Sequence, residues 1–219
     1  MKKHLFVFIF ILFCFQSGKA QNKTKFSKDK IESDSLNIPI SPTTYYFPLQ
    51  MFNNRSDRNI KLSNYLDRWY SRMLFALNEP LLYNTTDDKE VYRFTWLRRF
   101  RNPVSMRIEK KNDLVKLYVK VSDGAGGSHP GKIITDKVIE LNMDQWNMFK
   151  TKINVIHFWK LPVEEYKDID TDNSEWILEG STKDSYHFVT RTSPYEYDLK
   201  FFRDCCEYLI SLSGISNDR

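Results

Sequence analysis

Hydrophobic residues recur with two different periods along this chain. Between positions 62 and 77 they recur every three or four residues, which predicts an amphipathic helix that ends before Pro80. From position 92 onwards apolar and polar residues alternate, which is typical of antiparallel strands with one buried and one solvated face. We therefore expect a meander whose first three strands lie at about 92–96, 104–109 and 115–121, with a turn at 111–113.

The rest of the chain continues in the same two patterns. It predicts a fourth strand at 133–141, a short helix at 143–153, a strand-like stretch from Val155 to Trp159, a hairpin at 176–180 and 186–191, and a final helix at 196–212. Strands in runs, with helices before and after them, favour an α+β fold. We expect an antiparallel meander sheet of about six to seven strands, packed against helices at about 62–77, 143–153 and 196–212.

The first twenty residues have the three parts of a secretory signal peptide. Two lysines come first, then eleven apolar residues at 5–15, then small residues at 18 and 20. The apolar run is too short to span a bilayer, although a short membrane anchor is the alternative. We predict cleavage after Ala20, export to the periplasm or the extracellular space, and no transmembrane segment in the mature chain. The polar residues 21–44 are predicted to form a flexible linker, and 45–215 a single α+β domain.

Charge and cysteine content limit the classes of partner. The whole chain carries a net charge of +5, but removal of residues 1–20 would leave 30 basic and 28 acidic residues, a net charge of +2. A nearly neutral exported protein has no global attraction to nucleic acid, and we expect none as a partner. Cys205 and Cys206 are adjacent, which disfavours a bond between them, so we expect two core thiols. We expect no cofactor.

Positive charge is concentrated in the first strands of the meander. Residues 93–120 contain nine basic and two acidic side chains. Basic groups beside an aromatic ring are typical of sites for anionic polymers, and in an exported protein the partner would be an anionic glycan, a lipid headgroup or an acidic protein surface. The alternative is a solvated strand face whose charges oppose aggregation. The candidate binding residues on this face are Arg93, Arg99, Arg107, Lys116, Tyr118 and Lys120.

Acidic residues cluster between 162 and 184. Four of them occupy positions 1, 3, 5 and 12 of a possible calcium loop. Strands, not helices, are predicted on both sides, which favours a solvated acidic loop or one paired with the basic residues. Calcium is therefore a weak candidate, and we expect no other metal. The candidate ligands are Asp168, Asp170, Asp172 and Glu179.

The predicted hairpin also carries candidate catalytic groups. His187 and Arg191 share one strand face, and Glu179 lies on the facing strand. Together these three residues could form a polar site beside Trp159 and Trp176, with Glu179 and His187 as acid–base groups. The alternative is a structural hydrogen-bond network, which such clusters often are.

Three short motifs resemble those of a group of uncharacterised exported bacterial proteins. They read Phe-Trp-Lys-Leu-Pro at 158–162, Glu-Trp-Ile-Leu-Glu-Gly at 175–180 and Tyr-His-Phe-Val-Thr-Arg-Thr-Ser-Pro at 186–194. The chain departs from that pattern at Asn173, where the group has Gly, and at Thr192, where it has Trp. The resemblance implies homology and export, but no activity. We expect a non-catalytic binding or envelope-associated module; the alternative is a hydrolase that uses Glu179 and His187.

Overall fold

Six antiparallel strands form one sheet in the order β4-β3-β2-β1-β5-β6. The computed structural model describes residues 31–48, 57–83, 88–164, 174–195 and 199–216, with only the backbone of 57–63. The strands are β1 Glu90–Arg98, β2 Val104–Lys111, β3 Leu114–Ser122, β4 Ile133–Leu141, β5 Ser174–Ser181 and β6 Tyr186–Thr192. The helices are α1 Asp57–Ala76, α2 Met143–Val155 and α3 Lys200–Ser213, and a short 3-10 helix covers Phe158–Lys160.

This architecture confirms the predicted α+β fold and the meander. β1 to β4 pair in sequence, and β5 adds to the other side of β1 before it pairs with β6. Asn142 begins α2 with a capping box, because its side chain accepts from the Gln145 backbone N–H and the Gln145 side chain accepts from the Asn142 backbone N–H. Gly214 ends α3 in the left-handed conformation.

One face of the sheet packs against α2 and α3. Tyr92, Phe94 and Trp96 of β1 are buried here with apolar residues from the neighbouring strands. The ring of Tyr92 lies 5.3 Å from that of Phe149 in α2, measured between centroids. Gly180 lies so close to the Phe158 ring that an added Cβ would approach it to 2.5 Å. This face is therefore a dense aromatic core.

The opposite face is not solvated, so the prediction of one wet face is wrong at the centre of the sheet. Arg93, Arg107 and Lys120 are all buried there. Helix α1 and the segments on either side of it cover the face, with a second apolar core that includes Tyr46, Tyr70, Met73, Leu74 and Phe188. Alternation predicted correctly which residues share a face, but not that distant segments would cover it.

The predicted strand from Val155 to Trp159 is also wrong. α2 continues to Val155, and the chain then turns at His157, which has a left-handed φ of 49°, into the 3-10 helix. Ile156 and Phe158 are both buried in the core, as in a strand. A helix end followed by a turn buries these two alternate residues equally well, so periodicity could not separate the two structures.

Some predicted features lie outside the described residues. They include the signal peptide at 1–20, residues 21–30 of the linker, and Asp168, Asp170 and Asp172. Residues 31–44 are described: the Asp34 carboxylate accepts hydrogen bonds from the backbone of Leu36 and Ile38. Within the described ranges, no helix is long and apolar enough to cross a membrane.

Candidate functional site

The predicted grouping of Glu179 with His187 and Arg191 is wrong. In the β5–β6 hairpin Glu179 is opposite Phe188, and His187 is opposite Gly180. Because side chains alternate along a strand, Glu179 points to the α1 face, while His187 and Arg191 point to the face covered by α2 and α3. The hairpin register thus places the carboxylate and the imidazole on opposite sides of the sheet.

Glu179 instead binds Arg93, its partner in the β1–β5 register. Arg93 Nε and Nη2 donate to the two carboxylate oxygens at 2.6 and 2.8 Å, and Tyr186 Oη donates to Oε1 at 3.0 Å. Arg93 Nη1 also donates to the Pro80 carbonyl at 2.7 Å. Burial alone would lower the pKa of Arg93, but the attraction of Glu179 raises it, so the guanidinium stays charged. The side chains of Arg93 and Glu179 are therefore both engaged in this contact.

Glu79 extends this contact into a larger group of buried charges, which we call the charge cluster. Its members are Glu79, Arg93, Arg107, Lys120 and Glu179. The Glu79 carboxylate accepts from Arg107 Nε at 2.9 Å and lies 3.5 Å from Arg93 Nη1 and 3.6 Å from Lys120 Nζ. Burial opposes its ionisation, but the three cations lower the pKa of Glu79 below the ordinary carboxyl value. No sequence pattern pointed to Glu79, because it follows α1 and contacts strands that come later in the chain.

His187 and Arg191 contact the backbone of the segment 161–163. The His187 Nε2 atom lies 3.0 Å from the Leu161 carbonyl, and its ring is 5.2 Å from that of Phe158. Burial lowers the pKa of His187. Arg191 Nη1 donates to the carbonyls of Thr190 and Pro162 at 2.7 and 3.2 Å. Neither residue lines either of the two cavities described below.

The two candidate tryptophans differ in exposure. Trp176 is 1% exposed, and its Nε1 donates to Ser174 Oγ at 2.9 Å, so it is a core residue. Trp159 is 36% exposed and its ring lies 6.5 Å from that of His187. Trp159 therefore belongs to the surface, away from the two cavities described next.

The candidate basic residues separate into different places. Arg93 is buried in the charge cluster, and Lys116 lies on β3 outside both cavities. Arg107, Tyr118 and Lys120 line a cleft of about 500 Å³ on the α1 face. Arg99 lines a different cavity, at the end of β1. The basic stretch 93–120 is therefore not one continuous surface.

The cavity at the end of β1, which we call the arginine pocket, has a volume of about 880 Å³. β1 and the turn after it supply most of its wall, and β5, the segment after β6 and α3 supply the rest. Among the described residues that line it, four are arginines and none carries a carboxylate. These lining residues are Trp96, Arg98, Arg99, Phe100, Arg101, Ser174, Ser193, Tyr195 and Arg203.

Aromatic rings are interleaved with the arginines of this pocket. The Arg98 guanidinium lies 4.0 Å from the Trp96 ring centroid, and that of Arg99 lies 5.2 Å from the Phe100 ring centroid. Phe100 is 75% exposed and Tyr195 is 45% exposed. Two rings of the pocket therefore remain open to a ligand.

Two further features distinguish the arginine pocket from ordinary surface. Trp96 is 1% exposed, yet its Nε1 donor has no hydrogen-bond acceptor among the described residues. A buried donor without an acceptor is costly, and folded proteins keep few of them. Ser193 has a left-handed φ of 40°, and its hydroxyl accepts from the Ser174 backbone at 3.1 Å. Such strain in a non-glycine residue is concentrated at functional sites.

Most residues of the arginine pocket were missed from the sequence. Only Arg99 was a candidate, although the run Arg98-Arg99-Phe100-Arg101 carries the signal. Arg203 and Tyr195 come from a part of the chain a hundred residues later, and no spacing rule connects them to β1. The sheet topology, with β5 beside β1, and the packing of α3 bring them together.

Metal binding has no support in the described ranges, where no group of three or more His, Cys, Asp or Glu side chains could hold an ion. Glu179, one of the four candidate calcium ligands, is bound to Arg93.

No protein-family profile matches the sequence, and no curated protein matches it significantly. The resemblance to uncharacterised exported bacterial proteins therefore stays a prediction.

Proposed function

We propose that this chain is an exported, non-catalytic binding protein whose arginine pocket takes an anionic glycan. The observation that carries the proposal is the composition of the described part of the pocket wall, which has four arginines and three aromatic residues. Export rests on the predicted signal peptide at 1–20. The pocket volume of about 880 Å³ lies within the range typical of small-molecule sites.

The chemistry of the wall matches sulfate or carboxylate groups on a sugar. A guanidinium presents two parallel N–H donors, which fit the paired oxygens of such groups. Ser174 and Ser193 line the same wall, and a hydroxyl is a neutral group that can donate to such oxygens or to sugar hydroxyls. The exposed ring of Phe100 can lie against the apolar face of a sugar ring.

A glycan fits this shape better than the two other anionic partners. A lipid headgroup or an acidic protein surface would use a flat or convex basic patch, whereas the arginine pocket is concave. The proposal of a hydrolase based on Glu179 and His187 loses its acid–base pair, because the two side chains lie on opposite faces of the sheet.

Heparin, a sulfated glycan, is the probe for a binding test by isothermal titration calorimetry. We expect the double variant R99A/R101A to weaken binding by about tenfold or more, since hydrogen bonds to charged groups contribute about 1.5–3 kcal/mol each. Phe100→Ala should weaken it without changing the charge. The matched control is K137A/K183A, which removes two exposed positive charges away from the pocket. Its affinity should stay close to that of the wild type.

Three results would contradict the proposal. An equal loss in both double variants would mean that heparin responds to net charge alone. If the wild type does not bind heparin, the proposal of an anionic glycan as the ligand is wrong. Binding to phosphatidylglycerol vesicles but not to heparin would assign the pocket to a lipid headgroup.

A further inference from the structure

A second cavity lies on the other side of the sheet, under the segments next to α1. We call it the polar cleft; its volume is about 500 Å³. The turn at 34–38 and the segment 78–82 form one wall, and β2, β3 and β4 form the floor. Its charged lining residues are Asp34, Lys89, Arg107, Glu109, Lys120 and Asp136.

Positive and negative charges are balanced among the described lining residues, with three of each sign. Arg107 forms an ion pair with Glu109, and Lys89 Nζ lies 3.4 Å from the same carboxylate. Lys120 lies opposite Asp136 in the β3–β4 register. The polar cleft thus differs from the arginine pocket, because each cation has a carboxylate beside it.

Several polar atoms of the floor keep unused hydrogen-bonding capacity. Tyr118 is half-buried, and its hydroxyl forms no hydrogen bond with another residue of the described ranges. The carboxylate of Asp136 is exposed and lines the same cleft. The amino group of Lys120 has three N–H donors; it gives one to the Asn78 carbonyl, at 2.5 Å, and it also pairs with Glu79, at 3.6 Å.

The walls around these atoms are held in place. The Arg107 guanidinium lies 4.1 Å from the Tyr118 ring centroid and is fixed from below by Glu79. Asn37 and Asn78, which line the opposite wall, have left-handed φ values of 62° and 53°. Asn37 exchanges hydrogen bonds with Leu81, through its side-chain amide at 2.8 Å and its carbonyl at 2.9 Å. The cleft is therefore preorganised.

From these observations we propose that the polar cleft binds an uncharged, hydroxyl-rich small molecule of the size of a monosaccharide or disaccharide. A hydroxyl group donates and accepts at once, so a pair of neighbouring hydroxyls satisfies a carboxylate and an adjacent cation together. A simple anion would meet Glu109 and Asp136, and a simple cation would meet Arg107 and Lys120. This site and its ligand are independent of the arginine pocket and of the anionic glycan proposed there.

Saturation-transfer difference NMR tests the site with a panel of D-glucose, D-galactose, D-mannose, N-acetyl-D-glucosamine and maltose. L-alanyl-L-alanine serves as a zwitterionic comparison and D-glucose 6-sulfate as an anionic one. We expect saturation transfer to at least one neutral sugar. Tyr118→Phe keeps the ring and removes only the hydroxyl, and Asp136→Asn keeps the shape and removes the charge. Each should weaken the affinity for that sugar by about fivefold to tenfold, the usual effect of one lost hydrogen bond.

The control variant is Asp184→Asn, in the exposed β5–β6 turn, which should bind like the wild type. R99A/R101A should also leave sugar binding unchanged, so a failure of the anionic-glycan proposal would not affect this test. Absence of transfer to all five neutral sugars would overturn the inference. Transfer that is unchanged in both cleft variants, or transfer to the dipeptide or the sulfate alone, would overturn it as well.

Discussion

The guanidinium of Arg93 and the carboxylate of Glu179 share two hydrogen bonds, at 2.6 and 2.8 Å, and both side chains are fully buried. The two residues lie 86 positions apart and meet only because β1 and β5 are neighbours. A charge left alone in this position would be strongly unfavourable. The pair therefore depends on the pairing of these two central strands.

Breaking this pair should strongly destabilise the protein. We expect Arg93→Met to lower the free energy of unfolding by about 3–5 kcal/mol, because it leaves the Glu179 carboxylate buried without its main partner. Urea denaturation followed by circular dichroism measures the change. The double variant R93M/E179L should recover part of the loss, since it buries no uncompensated charge at this position. A loss below about 1 kcal/mol in the single variant would contradict a structural role.

Low pH should lower the free energy of unfolding, partly because it protonates Glu79. Burial opposes its charge, but Arg107, Arg93 and Lys120 lower its pKa in the folded state. A carboxyl with a lowered pKa stabilises the fold above its unfolded value and loses that contribution as the pH falls through the folded value. Glu79→Gln should therefore be less stable than the wild type at pH 7, and the difference should shrink below about pH 4. Urea midpoints across this pH range test it, with the exposed Glu140→Gln as the control; a constant difference would contradict the prediction.

Asp67 should have the opposite effect on the pH dependence. Burial raises its pKa to about 7, against weaker opposing effects from Ser71 and Arg68. Between pH 4 and 7 the folded protein keeps the Asp67 proton, whereas the unfolded chain has released it. The free energy of unfolding therefore falls as the pH rises from 4 to 7. Asp67→Asn should raise the melting temperature at pH 8 and change it little at pH 4. A lower melting temperature at pH 8 would show that the charged carboxylate stabilises α1.

The two thiols should be unreactive in the folded protein. Cys205 and Cys206 are fully buried in α3, and burial raises the pKa of Cys205 to about 12. Thiolate is the reactive form, so Ellman's reagent should label neither residue at pH 8 until the protein unfolds. Both should then react in 8 M urea. Fast labelling of the native protein would mean that α3 detaches from the sheet.

The predicted export can be tested directly at the N-terminus. Expressed in a bacterial host, the mature protein should begin at Gln21, which N-terminal sequencing or intact mass will show. Ala20→Arg should block cleavage, because signal peptidases require a small residue at that position. Thr24→Arg, outside the recognition site, is the control. An uncleaved wild-type chain would contradict the signal peptide.

The sequence was informative wherever a local pattern decides the structure. Alternation located β1 to β6, and helical spacing located α1, α2 and α3 closely enough to give the fold class. It also placed Arg93, Arg107 and Lys120 correctly on one face. It could not show that this face is buried, because Glu79, Pro80 and Asn78 supply the covering contacts from another part of the chain.

The candidate site depended even more on non-local contacts. The sequence placed Glu179 and His187 on facing strands but did not predict the register, and the turn Thr182–Ser185 places Glu179 opposite Phe188. Arg203 reaches the arginine pocket through the packing of α3, which no spacing rule predicts. The arginine run at 98–101 was visible in the sequence, but the rings and serines that complete the cavity were not.

The two outer strands of the sheet are protected in different ways. Beside β6, the Thr190 backbone donates to the Val163 carbonyl at 2.7 Å, so the segment 163–164 occupies part of that edge. β4 has no such cover among the described residues, but Asp136, Lys137 and Glu140 expose charges along it. Charged side chains on an outer strand discourage another strand from pairing with it. Addition of a further strand to this sheet is thus hindered at both of its outer strands.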